Sequence, residues 1–211
     1  MEAEAGPTAS GGSVAIDDGR GSVAVERSDT RRRLIAAAAD VFATRGLSAP
    51  MEEVAARAGV TRMTLYRHLG SRQELLVALL QYKAEEAAGE VTAILFNVER
   101  AFPDRVIDFI LYVVASVRHD PFLSFMAADV TPAQVNRVDP QRQFVESIWT
   151  VLLPIFELPE HRAQLGHEPA RCLDWTLRQV LLQLMVEARL YESDDDRRAE
   201  LEDFLLPALR A

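Results

Sequence analysis

Apolar residues recur along this chain at spacings of three and four, and no stretch alternates with period two, so the pattern predicts helices throughout and an all-α fold. The first stripe is Leu34, Ile35, Ala38, Val41 and Phe42, with Asp29 or Thr30 placed as its N-cap and Gly46 as its stop. Two short helices follow between Glu52 and Gly70. Ser71-Arg72-Gln73-Glu74 is a capping box, opening a long helix through Leu75, Leu76, Leu79 and Leu80 toward Glu99. Beyond it, prolines behind capping residues mark helices near 104–118, 121–129, 132–138 and 141–157, the last holding Pro154. A loop with Pro159, Gly166 and Pro169 leads to a strong helix near 170–191. Ser193 and three aspartates then open a final helix near 197–210.

The two short helices carry the clearest local signal. Ala55, Ala56 and Ala58 keep the first one slim, and Gly59 ends it because glycine takes the left-handed conformation cheaply. Val60 plugs the turn, and Thr61 caps the next helix through its hydroxyl. This is what a helix-turn-helix needs for two helices to cross closely. On the second helix Leu65 and Leu69 face inward, while Met63, Thr64 and Arg67 form the outward arc. Arg62 stands at the exposed start, with Tyr66 and His68 on the flanks. Arginine forks onto guanine edges, and Thr, Tyr and His hold phosphate oxygens. Thr61, Arg62, Met63, Thr64, Tyr66, Arg67 and His68 are therefore the expected DNA-facing residues, with Arg72 at the start of the long helix expected on a phosphate.

The segment resembles the DNA-binding domain of the TetR family of transcriptional regulators. The matching residues are Arg33 to Ala38, Phe42 to Gly46, Ala58 to Thr61, Thr64 to His68 and Ser71 to Leu76. Two departures stand out: Leu69-Gly70 where the family usually has Phe and then a small residue or proline, and a short loop Leu47-Ser48-Ala49-Pro50. The resemblance implies a homodimer that binds double-stranded operator DNA, most often as a repressor released by a small molecule. The competing reading is a ligand-binding helical protein, or a constitutive DNA binder without ligand control.

Charge sharpens this picture. The chain carries −9 overall, yet residues 27–83 hold ten Lys and Arg against five acids. The positive field is confined to the helix-turn-helix region, between an acidic N-terminal stretch and an acidic body. Residues 1–27, rich in Gly, Ala, Ser and acids, read as a passive disordered tail. Residues 28–72 are expected to form the DNA-binding domain and 73–211 a helical ligand-binding and dimerisation domain, with the helix near 72–99 linking them. Arg31, Arg32 and Arg33 are placed at the start of the first helix, where at least one is expected to reach a phosphate, the alternative for any single one being a solvated basic end.

In the C-terminal half, Asp174, Arg178, Gln179, Gln183 and Glu187 make a narrow polar stripe on an otherwise apolar helix. A helix buried on most sides is expected to contact more than its own core, and the TetR resemblance implies that it forms, with the final helix, half of a four-helix bundle across a two-fold axis; the alternative is a wholly internal core helix. Leu177, Leu181, Leu184, Leu201, Phe204 and Leu205 are the expected interface. Phe109, Tyr112, Phe122, Phe125, Met126, Trp149, Leu152 and Trp175 suit an apolar cavity between helices, with Gln179 and Gln183 as polar groups for a hydrophobic effector.

No Gly-rich phosphate loop and no nucleophile with a base and elbow is present, so an enzyme is not expected, nor a cofactor. Glu157, His161, His167 and Glu168 straddle a proline-bounded loop and read as solvated surface rather than a metal site. The single cysteine, Cys172, reads as a small buried hydrophobe. With no apolar run of about 18 residues and no basic-then-apolar leader, a soluble cytoplasmic protein without a membrane partner is expected.

Overall fold

The computed structural model describes residues 20–129, 140–185 and 193–210. The helices are α1 (Arg20–Arg45), α2 (Met51–Arg57), α3 (Arg62–Leu69), α4 (Arg72–Leu95), α5 (Phe102–His119), α6 (Pro121–Asp129), α7 (Pro140–Phe156), α8 (Pro159–Arg162), α9 (Pro169–Met185), α10 (Asp194–Glu200) and α11 (Leu206–Leu209). A π-turn, Leu201–Leu205, joins the last two. Among the described residues the only β-type pairing is an isolated bridge between Leu165 and Arg210. The fold is all-α. The expected helix near 132–138 and the stretch 186–191 lie outside the described residues.

Two separate apolar cores organise these helices. The first gathers Leu34, Ile35, Ala38, Val41 and Phe42 of α1, Val54 of α2, Leu65 and Leu69 of α3, and Leu75, Ala78, Leu79 and Leu80 of α4. Phe122 and Met126 of α6 complete it. The second gathers Leu95, the apolar face of α5, Leu152 and Phe156 of α7, Cys172, Leu173 and Val180 of α9, and the apolar residues from Leu201 to Leu209. α4 enters both. Between its last residue in the first core and its first in the second, Ala84 to Glu90 is exposed apart from half-buried Ala87.

α1 starts earlier than its caps suggest: it is helical from Arg20, and runs straight through Ser28, Asp29 and Thr30. Short polar side chains favour a helix start, but without Gly or Pro beside them they do not break a helix already under way. Part of the expected tail is therefore helix, and Arg31, Arg32 and Arg33 lie within α1 rather than at its N-terminus. Arg32 pairs with Glu85 of α4 at 3.3 Å.

α5 starts at Phe102, whose backbone N–H donates to Gln164 Oε1 at 2.7 Å from far along the chain. Asp120 Oδ1 accepts from Leu123 N at 2.9 Å, capping α6 as its proline predicts. Pro154 sits inside α7 without ending it. Ser193 and Asp196 form a capping box opening α10.

A polar hub fastens the end of α4. Arg105 of α5 is buried and donates from Nη1 to the Leu95 carbonyl at 2.5 Å. The same nitrogen lies 3.3 Å from His161 Nε2, and His161 Nδ1 lies 2.7 Å from the Ile155 carbonyl. The His161 ring stacks on Phe102, centroids 4.0 Å apart and 3° from parallel. His161 is thus a core residue, not solvated surface: Phe102 and Arg105 from α5 cover it. Burial, the largest influence, lowers the Arg105 pKa, and nearby Glu160 opposes it. Cys172 is buried as expected, and burial pushes its thiol up.

Candidate nucleic-acid interface

The α2–α3 turn has the geometry its residues dictate. Gly59 takes φ +67°, and Val60 N closes the turn by donating to Ala55 O at 3.0 Å. Thr61 Oγ1 then accepts from Thr64 N at 3.2 Å and lies 3.0 Å from Thr64 Oγ1. Leu65 and Leu69 are buried, so α3 is anchored by one face. α2 is pinned to α1 by Arg57–Asp40 at 2.6 Å and Arg45–Glu53 at 3.4 Å.

At the other end of α3, Gly70 adopts φ +71°, ψ −144°, and a Cβ there would stand 2.3 Å from Glu74 Oε2. The Glu74 carboxylate fills that space because it accepts from Ser71 N at 2.7 Å, while Ser71 Oγ accepts from Glu74 N at 3.2 Å. The Ser71 backbone N–H, then its hydroxyl, hold the Glu74 carboxyl below its ordinary range. Glycine at position 70, a departure from the family pattern, thus has a local cause.

The outward face of α3 carries Met63, 80% exposed, with Arg62 and Arg67 also exposed. Thr64, Tyr66 and His68 are half-buried on the flanks. Arg67 makes no ion pair among the described residues. Arg62 does: its Nη1 contacts Glu52 of α2, and its guanidinium lies over the Tyr66 ring, 5.4 Å from Cζ to centroid. The Tyr66 phenol and then the Glu52 carboxylate raise the Arg62 pKa further. Glu52 escapes a reading of α3 alone. Its signal in the sequence is an acid in the first turn of α2.

Arg72 behaves differently from the expected phosphate contact. Its Nη1 donates to the Ala49 carbonyl at 2.7 Å, its guanidinium lies 5.1 Å from the Phe42 ring centroid, and its Nη2 is buried without a hydrogen-bond partner. Turned inward, Arg72 staples the α1–α2 loop to the start of α4.

The other groups expected to converge are divided. Phe122 and Met126 belong to the first core, whereas Phe109 and Leu152 belong to the second, against which Trp149 packs. Phe125 and Trp175 are exposed at 43% and 51%, while Tyr112 and Gln179 are half-buried. Gln183 is buried, accepting from Arg197 Nε at 3.1 Å and, through its carbonyl, from Arg118 at 3.0 Å. A pattern of aromatics shows neither that every side chain is buried nor that the buried ones share a core.

The expected dimer surface divides as well. Leu201 and Leu205 point into the chain's own second core, and Leu177 and Leu184 are half-buried against it. Phe204 and Leu181 remain exposed, joined by Leu182 and Trp175. The π-turn brings adjacent Leu205 and Leu206 both inward and leaves Phe204 outside.

A family profile described as bacterial regulatory proteins, tetR family, matches residues 34–79. Over 56 residues the chain is 46% identical to the HTH-type transcriptional activator FasR of Mycolicibacterium smegmatis, covering 26% of each chain. Over 58 residues it is 43% identical to the HTH-type transcriptional regulator SrpR of Pseudomonas putida, covering 27% of each. The aligned segment thus spans about a quarter of these relatives. At the level of the fold the likeness extends further. NalD, the secondary repressor of the MexAB-OprM multidrug efflux pump in Pseudomonas aeruginosa, superposes with TM-score 0.56 at 21% identity, over 88% of this chain and 97% of its own. AlkX, a TetR family repressor from a Dietzia species implicated in n-alkane biodegradation, superposes with TM-score 0.59 at 22% identity, over 84% and 93%. Residues 34–79 thus match the tetR family of bacterial regulatory proteins in sequence, and the all-helical body is similar in fold to solved TetR family structures.

Proposed function

We propose that the protein is a homodimeric transcriptional repressor that docks α3 of each protomer into successive major grooves of an operator. The observation that carries this is the division of α3: Leu65 and Leu69 buried, with Arg62, Met63 and Arg67 exposed on a basic helix-turn-helix unit. Residues 28–72 hold the DNA-binding surface, and residues 73–211 hold the dimer contact and the effector. Thr61, whose hydroxyl caps α3, and Thr64, whose backbone N–H donates to that hydroxyl, set the start of the helix rather than reading bases. Phe204, Trp175, Leu181 and Leu182 are the residues that meet the second protomer, since their apolar surface is exposed in the single chain. A hydrophobic small molecule bound among α5, α7 and α9 releases the protein from DNA. Phe109, Trp149 and Leu152 support this because they share one core.

The deciding experiment is a mobility-shift titration of the full chain on the promoter beside its own gene, with a scrambled duplex as competitor. Retention on the promoter at competitor excess supports the reading. Equal affinity for both duplexes refutes it. Hydrophobic compounds that raise the melting temperature are then tested for operator release. Binders that leave DNA affinity unchanged refute the effector part alone.

A further inference from the structure

Arg62 is the first residue of α3, and two groups from different helices hold its charge. Glu52 of α2 takes its Nη1, and the Tyr66 ring, one turn along α3, lies beneath the guanidinium. Both features run against simple electrostatics. The positive end of a helix dipole disfavours a cation at this position. An acid beside a phosphate-binding face repels every duplex regardless of sequence. Glu52 therefore costs non-specific affinity, and it does so at the arginine where α3 begins. Arg67 on the same face makes no ion pair among the described residues.

A long free arginine ordered on binding loses rotamer freedom and finds phosphates as readily as bases. A guanidinium clamped between a carboxylate and a ring has already lost that freedom. It still has donors left to fork onto guanine O6 and N7. We propose that Glu52 is a specificity-determining positioning residue that holds Arg62 against Tyr66, so that this guanidinium reads one base pair instead of neutralising the backbone. The proposal rests on α3 being the DNA-recognition helix, and its test separates the two.

The full-length protein is used to select duplexes from a randomised library, and the preference at each base pair is measured for wild type, Glu52→Ala, Glu52→Gln, Arg62→Ala and the double variant Glu52→Ala/Arg62→Ala. Glu52→Ala and Arg62→Ala are expected to relax the same base pair by about tenfold, leaving the other positions unchanged. In the Arg62→Ala background, Glu52→Ala adds nothing at that base pair. Glu52→Gln, which keeps an acceptor of equal length, retains part of the preference. If Glu52→Ala tightens binding to all duplexes by one common factor, Glu52 is a plain repulsive charge and the proposal is overturned. Relaxation at a base pair other than that of Arg62 overturns it too. A wild-type protein that selects no sequence refutes the operator-binding reading itself. Melting curves for both Glu52 variants confirm that each is folded.

Discussion

Phe122 of α6 stacks on Phe42 of α1, their ring centroids 6.4 Å apart and their planes 23° apart. A residue from the middle of the chain thus completes the core beneath the helix-turn-helix. Lys83 of α4 reinforces the junction through Asp120, at the head of α6, at 3.0 Å. Whatever moves α6 disturbs the packing that α1 and α4 share.

Phe122→Ala is expected to cost about 3–5 kcal/mol, the usual range for a buried phenylalanine. The chain's two tryptophans, Trp149 and Trp175, lie on α7 and α9, away from this core. In urea, circular dichroism and tryptophan fluorescence should coincide for the wild type. In the variant the helical signal should begin to fall first. Coincident transitions at a lower midpoint would show that the two cores unfold as one.

Gly59 and Gly70 separate two costs. Both have positive φ, but a Cβ on Gly59 meets nothing within 4 Å, whereas one on Gly70 meets the Glu74 carboxylate. Gly59→Ala should cost about 1–2 kcal/mol from the backbone alone. Gly70→Ala should cost more, by up to about 2 kcal/mol, because the capping box must also open. Equal losses in thermal melts would mean that Glu74 swings aside freely.

These turns were legible because their causes are local. Thr61, Ser71 and Ser193 each cap a backbone N–H three residues on, and Gly59 needs only its own φ. Arg72, His161 and Leu201 were not legible, since what surrounds them comes from Ala49, Phe102 and the second core. A helical wheel tells an inward face from an outward one. It does not tell one's own core from a partner's, which is why Leu201 and Phe204 look alike in sequence yet differ from 2% to 78% in exposure.

The same contrast predicts opposite behaviour on mutation. Leu201→Glu buries a charge in the second core and should prevent cooperative melting. Phe204→Glu should leave the melting of the single chain intact while shifting sedimentation from dimer to monomer. An unchanged Phe204→Glu dimer would remove this residue from the interface.

Arg72→Ala should destabilise the fold by about 1–3 kcal/mol, the worth of a charged hydrogen bond to a carbonyl, and leave the salt dependence of DNA binding alone. His68→Ala, if His68 contacts phosphate, should leave stability nearly unchanged while weakening all duplexes alike. Denaturation and affinity titrations over salt concentration distinguish the two. A flattened salt slope for Arg72→Ala would restore it to the backbone contacts.

The Ser71–Glu74 box should loosen in acid. Glu74 has its pKa lowered in the folded chain, so its contribution to stability is present above the unfolded carboxylate value of 4.5 and is lost as pH falls through the folded one. Glu74→Gln should therefore lower stability at neutral pH and narrow its gap to the wild type as pH drops below that value. A gap that stays constant down to acid would assign the loss to geometry rather than charge.

Between the two cores, α4 crosses Ala84 to Glu90 with almost no side chain to lean on. Seven residues of helix are about 10 Å of strut held by its own hydrogen bonds. The helix is clamped at its start by Arg72 to Ala49 and at its end by Arg105 to the Leu95 carbonyl, so this short rod links the two cores beside the second route from α5 into α6. Gly89, where an added Cβ would meet nothing within 4 Å, is the compliant point, since glycine weakens a helix interior by about 0.5–1 kcal/mol relative to alanine. The stiffness of one link between the two cores is therefore a mechanical property of an exposed span, adjustable by a single methyl group without touching either core.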